Sequence, residues 1–305
     1  METQEAMRMT RKTFIHSVGA TAICATMPGI STAKVDETPD YDALQKEIDA
    51  IKAADYTKYR LDGNVGPFRA LQRLEDAFDR VLAEVQSTKV TDKPVIWHIY
   101  NMGIVVKTPK TCFAIDPNHR RVLQLEPLLD FALITHNHGD HCSEELYQAM
   151  NGAGKTVISN FKDNYGARSR KSGGYTRAQK TFRLADVEIK TALTDHNDYL
   201  IDFTTTFEIR FGDFVFFHSG DCSSVEKLNP SVRPDLWFVH PRCGLRVDDG
   251  VRKFAPKMTA IVHLNELGHD RWRWNWSDGL TEKSRVEAAG GKAIMPLWGD
   301  RITSF

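Results

Sequence analysis

The sequence predicts an α+β fold of layered β-sheet. Three observations carry this reading. Two helix-period segments precede residue 90, short apolar runs of strand length recur from Val90 onward with occasional helices between them, and no internal repeat or second complete core interrupts the series. The 305 residues are 41% hydrophobic and 26% charged, enough to bury a full core without disulfide or metal staples.

Residues 1–33 read as an export signal. Arg8, Arg11 and Lys12 make a basic start, and a weakly apolar stretch from Phe14 to Ile30 follows. Ser31-Thr32-Ala33 is a small-residue cleavage site, before polar Lys34-Val35-Asp36-Glu37. The run Thr10-Arg11-Lys12-Thr13-Phe14-Ile15 resembles the twin-arginine export signal, with lysine in place of the second arginine. Cys24 follows Ile23 rather than Gly or Ala, unlike a lipoprotein anchor. A periplasmic or secreted protein without a stable membrane anchor is expected; a disordered N-terminus is the alternative.

Residues 34–89 form a helical extension. Apolar residues recur at helical spacing from Tyr41 to Ala54, and more clearly from Phe68 to Val85, where Phe68, Leu71, Leu74, Phe78, Val81, Leu82 and Val85 line one face after Pro67. This pair is expected to pack on the main domain or to cap a site. The main domain, 90–305, opens with strands at Val95–Ile99, Ile104–Val106 and Thr111–Ile115, the last ending at Asp116-Pro117. Phe131–Ile134 is a buried strand, Ser143–Met150 a short helix and Thr156–Ser159 another strand. Later strands fall at Val187–Leu193, Thr205–Phe211, Phe214–His218, Leu236–Val239 and Ala260–Leu264.

Lys+Arg and Asp+Glu each number 40, so the formal net charge is zero. Such a chain is a poor candidate for nucleic acid or an anionic membrane surface, and no apolar run is long enough to span a bilayer. A small-molecule partner fits better. Of the cysteines past residue 33, Cys112, Cys142, Cys222 and Cys243, none forms a CxxC pair. Cys112 and Cys243 read as small buried hydrophobes.

The chemistry concentrates in Thr135-His136-Asn137-His138-Gly139-Asp140-His141, directly after the apolar strand. Three imidazoles and a carboxylate within six residues make a donor set for zinc, iron and similar ions. A turn at a strand end aims several of them at one point, and Gly139 is expected to give the backbone room to do so. A solvated His-rich loop is the bland alternative.

This run resembles the HxHxDH motif of the metallo-β-lactamase superfamily. The resemblance continues through Thr194-Asp195-His196, Ser219-Gly220-Asp221 and His263, each at the end of a strand, and covers roughly residues 90–305. It implies a four-layer αββα sandwich of the metallo-β-lactamase type and two divalent metal ions, zinc first, with manganese or iron as alternatives. His136, His138 and His196 would make one metal position; Asp140, His141 and His263 the other; Asp221 would bridge them. A hydroxide between the metals would be the nucleophile, oriented by Asp140 as the catalytic carboxylate. His269, six residues after His263, is a rival for the last ligand, and Glu266 and His269 are candidate supporting or substrate groups. Cys142 and Cys222 each follow a proposed ligand directly.

Within that superfamily the compact motif set resembles the ascorbate-phosphate lactonase-like branch, and the motif itself resembles phospholipase-D-like members acting on N-acyl ethanolamine phospholipids. The expected activity is hydrolysis of a lactone, phosphodiester or other ester or amide bond. The rivals are a mononuclear iron dioxygenase on the same scaffold and a non-catalytic metal-binding protein. His240 and Arg242 are candidate substrate groups, with His240 a proton donor to a leaving group or a structural histidine. Between Lys162 and Lys180, Arg168, Arg170, Lys171 and Arg177 face one acid, Asp163. That segment reads as a glycine-containing mobile loop, either simply solvated or catching an anionic substrate. Arg271-Trp272-Arg273-Trp274-Asn275-Trp276 offers an aromatic pocket wall or a packing edge against the N-terminal helices.

Overall fold

The computed structural model describes residues 39–52, 65–160, 174–175 (backbone), 180–241, 243–265 and 275–302. Asp40–Phe305 form one compact unit. The segment with the export-signal pattern lies outside the described residues, as do Arg168, Arg170, Lys171 and Arg177, Arg242, and Glu266 to Trp274.

Among the described residues the apolar runs fold into two sheets of seven strands each. The first has the order β14 (Arg301–Ile302), β1 (Val95–Tyr100), β2 (Gly103–Lys107), β3 (Cys112–Ile115), β4 (Phe131–Leu133), β5 (Thr156–Ser159), β6 (Gly174–Tyr175). The second has the order β13 (Ala293–Ile294), β12 (Met258–Ile261), β11 (Leu236–Val239), β10 (Phe214–His218), β9 (Thr204–Phe211), β8 (Val187–Thr194), β7 (Lys180–Leu184). Each sheet is antiparallel along one half and parallel along the other: β3 to β6 in the first, β10 to β13 in the second.

Both faces of each sheet are apolar, and the period of two sorts side chains between two cores. Ile104, Val106, Phe113, Ile115, Phe131 and Leu133 meet Ile189, Phe207, Ile209, Phe216, Leu236 and Phe238 between the sheets. Their neighbours Trp97, Val105, Ala114 and Ala132 face outward, onto Phe78, Val81 and Val85 of α2 (Arg69–Ser87) and Leu146, Tyr147 and Met150 of α3 (Glu144–Gly152). Phe217, Trp237, Val239 and Ile261 face the other way, onto Val247 and Val251 of α4 (Val247–Phe254) and Trp276 and Val286 of α5 (Trp276–Ala288). The result is the four-layer αββα sandwich.

Local signals set the helices. Ser143 caps α3, its Oγ accepting from Leu146 N, with Glu144 and Glu145 in the first turn facing the positive end of the helix dipole. Asn275 and Asp278 form a capping box at the start of α5. Gly250 inside α4 lets the helix lie on Trp237, since a Cβ there would sit 2.4 Å from the indole. α1 (Tyr41–Lys52) packs its buried Ile48 and Ile51 against Ala70, Leu71 and Leu74 of α2. Tyr41 also meets Trp276 at 5.4 Å between rings, and Gln45 Oε1 accepts from Trp276 N. For its described part, the tryptophan-rich run is therefore a packing edge against the N-terminal helices. No described helix is long and apolar enough to cross a membrane.

α2 is also held electrostatically. Its buried Glu75 takes the Arg120 guanidinium at 2.6 Å and Arg121 at 3.1 Å, and His119 stacks on Phe78 with centroids 3.9 Å apart. Burial, then the Arg121 and Arg120 charges, push the His119 imidazole down to about 3 from an ordinary 6.5. Between those values the unfolded chain takes up a proton that the folded chain refuses. This histidine's contribution is thus complete above about pH 6.5 and shrinks as pH falls, at up to roughly 1.4 kcal/mol per pH unit. His119→Gln is expected to flatten that part of the acid limb. Denaturant unfolding of both proteins at pH 7.5 and 4.5 checks it: the wild type should lose more stability on acidification, and equal losses overturn the assignment.

Candidate metal centre

The strands that carry the motifs end at one rim. β3 and β4 run parallel in the first sheet, and β8, β10, β11 and β12 point one way in the second. Hydrogen bonds join the two sheets there. Thr205 N donates to Thr135 O at 2.8 Å, Asn160 Nδ2 to Phe203 O at 2.8 Å, and His263 N to Asn101 O at 3.1 Å; His218 Nε2 lies 3.0 Å from Met102 O.

At this rim the structure brings all seven candidate ligands together. His136, His138 and His196 form one group, and Asp140, His141, Asp221 and His263 another, with ligand atoms in each within 4.8 Å of one another. Asp221 faces both, its Oδ1 3.2 Å from His141 Nε2 and its Oδ2 3.5 Å from His196 Nε2. Asp140 Oδ2 lies 3.1 Å from His263 Nε2 and 3.3 Å from His141 Nε2. Phe203 packs edge-on against the His136 and His196 rings, with centroids 5.6 and 5.9 Å away.

The backbone explains the aim. After β4 the chain turns, with His141 N and Cys142 N both donating to His138 O, and Asn118 Nδ2 holds Gly139 O. Gly139 itself is not what permits the turn: it has no positive φ, and a Cβ there would meet nothing within 4 Å. Gly220 is the necessary glycine. Its φ is +55°, and a Cβ would fall 2.7 Å from Thr204 Cγ2 and 2.9 Å from Thr135 Cβ, so only glycine lets Asp221 follow β10 so closely. Ser223 ties the Asp221 turn to Asp195 O beside His196, and Lys227 pairs with Asp195 and Asp202 across the β8–β9 loop.

His263 lies beyond its strand. β12 stops at Ile261, short of the expected Ala260–Leu264 run, because His263 N leaves the sheet to bond Asn101 O in a left-handed conformation with φ +64°. His240 follows β11, stacks on His263 at 3.9 Å and places Nδ1 3.2 Å from Asp221 Oδ1. Arg242 and His269 lie outside the described residues.

Two participants were missed in the sequence. Asp116, in a left-handed conformation after β3, is fully buried. Its Oδ2 accepts from His141 Nδ1 at 2.9 Å and from Thr135 Oγ1 at 2.6 Å, and that hydroxyl lies 2.9 Å from His136 Nδ1. One carboxylate thus orients two ring systems so that each Nε2 faces the cluster. Its only sequence signal was the Asp-Pro pair at a strand end. The other is Cys243, which is no core bystander, as its sulfur groups with His196 and Asp221. Among the described residues no disulfide joins the four cysteines. Cys222 Sγ is engaged by Thr194 Oγ1 at 2.9 Å and Ser224 O at 3.2 Å.

The donor set fits cations. His136 Nε2, His196 Nε2 and Asp140 Oδ1 are buried and hydrogen-bonded to nothing. Burial, then neighbouring imidazoles, keep His136 and His138 low and neutral, which is the ligating form. His141 and His263 are raised: burial opposes their charge, but Asp221 and Asp140 outweigh it. Asp221 and Asp140 are lowered against burial by the imidazoles facing them, His141 foremost. The buried carboxylates thus call for positive charge, which cations held by these groups would supply.

No family model and no curated protein matches the chain. Solved structures do. Igni18, a metallo hydrolase from Ignicoccus hospitalis, is 18% identical over 70% of this chain and 99% of its own, with a TM-score of 0.54. YhfI, a metallo-β-lactamase fold protein from Bacillus subtilis, is 13% identical over 69% and 99%, with a TM-score of 0.53. CmlA, a diiron β-hydroxylase from Streptomyces venezuelae, is 16% identical over 70% of this chain, with a TM-score of 0.52, and the match spans only 54% of CmlA. The chain has the metallo-β-lactamase fold.

Two outcomes are expected. Asp116→Asn, which withdraws the charge that orients two ligands, should weaken metal binding roughly 10- to 100-fold in a chelator competition, with unchanged affinity overturning the role. His263→Ala should lower metal stoichiometry and His269→Ala should leave it intact; the reverse pattern would move the last ligand to His269.

Proposed function

We propose that the chain is an exported, metal-dependent hydrolase of a small molecule, cleaving a lactone, phosphodiester or other ester or amide bond. The single observation that supports it is the pair of ligand groups meeting at Asp221, with buried nitrogen and oxygen atoms that have no partner within the protein. Held by these residues, two divalent ions, zinc in the first place, would supply Lewis acidity and lower the pKa of a bound water.

The protein's own groups do the rest. Asp140 spends Oδ2 on His141 and His263, and its buried Oδ1 remains to accept a hydrogen bond from the attacking water. Asp221 holds the two groups at fixed separation. His240, pushed down to about 4 by burial and by His263, is neutral near pH 7; its Nδ1 faces Asp221 Oδ1 and donates there, which leaves Nε2 as an acceptor for a substrate group rather than a proton donor. The arginines and lysines between 162 and 180 favour an anionic substrate, and the basic, apolar and small-residue succession in 1–33 supports export to the periplasm or beyond.

A second reading, iron-dependent oxidation, is favoured by the structural likeness to CmlA, described as a diiron β-hydroxylase. Metal analysis of the purified chain separates the two. About two equivalents of zinc or manganese, with hydrolysis in a screen of lactone, phosphodiester, lipid and β-lactam substrates, supports the first; iron with oxygen consumption supports the second. Asp221→Asn is expected to weaken both metal positions together and to reduce hydrolysis on the order of a thousandfold or more, with a smaller effect on the thermal melt. Normal binding of two ions at unchanged affinity would refute the bridging role.

A further inference from the structure

Neither ligand group needs Cys243, and the hydrolytic reading does not use it. The residue follows β11 past His240, and its Sγ lies 3.4 Å from His240 Nδ1. It also falls within 4.8 Å of ligand atoms of both His196 and Asp221. His196 belongs to the first metal group and Asp221 to the second, so the sulfur sits at the seam between them. The seam points at a ligand independently of the thiol. Asp221 is 4% exposed, and beside its Oδ2, at 3.5 Å, the buried His196 Nε2 makes no hydrogen bond. Among the described residues, Cys243 is the cysteine that joins such a group.

We infer that Cys243 is a further metal ligand, donating its sulfur as a thiolate beside His196 and Asp221. The inference rests on the metal-dependent reading of the cluster and deepens it by naming the metal class. As the metal–sulfur bond forms, the S–H bond breaks and its proton leaves to solvent, with no change of oxidation state. The consequence is selectivity. Imidazoles and carboxylates alone serve zinc, iron and manganese, whereas a thiolate favours zinc and cobalt over manganese. This seam is therefore built for a thiophilic ion.

Cobalt(II) added to the full-length, chelator-stripped protein tests it. Visible ligand-field bands should appear together with a near-ultraviolet sulfur-to-cobalt charge-transfer band. Cys243→Ser and Cys243→Ala should keep the first and lose the second, while Cys142→Ser and Cys222→Ser keep both. Zinc affinity should fall about tenfold or more in Cys243→Ala, and manganese affinity about twofold or less. A measurement on the unaltered chain guards against misfolded variants: iodoacetamide should label Cys243 in stripped protein and spare it in zinc-loaded protein, as read by peptide mass. Visible bands without the charge-transfer band, or equal labelling with and without zinc, overturn the thiolate while leaving the metal centre standing. No cobalt bands at all overturn both.

Discussion

The constraint on which this rim depends is the burial of Asp221. A carboxylate taken out of water costs several kcal/mol unless positive charge meets it. Here imidazoles on different elements surround it, His141 after β4, His196 after β8, His240 after β11 and His263 after β12, and the positive charge comes from His141 and His263, which are raised. No single strand or sheet supplies them all. The carboxylate is therefore tolerable only when both sheets are packed and their ends are level, which the bonds from Thr205 to Thr135 and from His263 to Asn101 secure. Gly220 adds the remaining condition, since any side chain there would push the Asp221 turn off Thr135 and Thr204.

Asp116 supports the centre from behind. By accepting from His141 directly and from His136 through the Thr135 hydroxyl, it links the two candidate ligand groups through the protein alone. Such preorganisation matters because ligands held in place need not be gathered at the expense of their own conformational entropy. The same Thr135 whose hydroxyl serves Asp116 accepts Thr205 N at its carbonyl, so ligand orientation and sheet-to-sheet attachment share one residue.

Much of this was legible in the sequence, for uneven reasons. Phe131–Leu133, Thr156–Ser159, Phe214–His218 and Leu236–Val239 showed as strands because buried parallel strands are apolar on both faces and stand out as continuous runs. The two-residue edge strands β13 and β14 carry too little pattern to see, and α4 hides behind a glycine that serves Trp237 rather than helix formation. His136, His138, Asp140 and His141 were visible through their density within six residues. Asp116 and Cys243 were not, because a lone Asp before proline reads as a turn and a lone cysteine as core. What identifies them is proximity across the fold, which no local period encodes. The four-layer architecture and the grouping of distant motifs came through resemblance rather than through the physics of any one segment, and the strand order came only with the structure.

The seam between the sheets also bears on how the whole molecule would respond to the proposed ions. The candidate ligands run from His136, after β4 of the first sheet, to His263, after β12 of the second, so a chain with either sheet undocked offers at most a fragment of the centre. An ion that binds the native arrangement and not the fragments shifts the unfolding equilibrium by mass action, adding about 2.7 kcal/mol when its concentration is a hundred times its dissociation constant. Because the centre joins the layers rather than decorating one of them, that increment acts on the docking of the two sheets as a unit. If the proposed metal is held there, its free concentration would be a variable of global stability for this sandwich, and chelation would be felt at the sheet interface as much as at the rim.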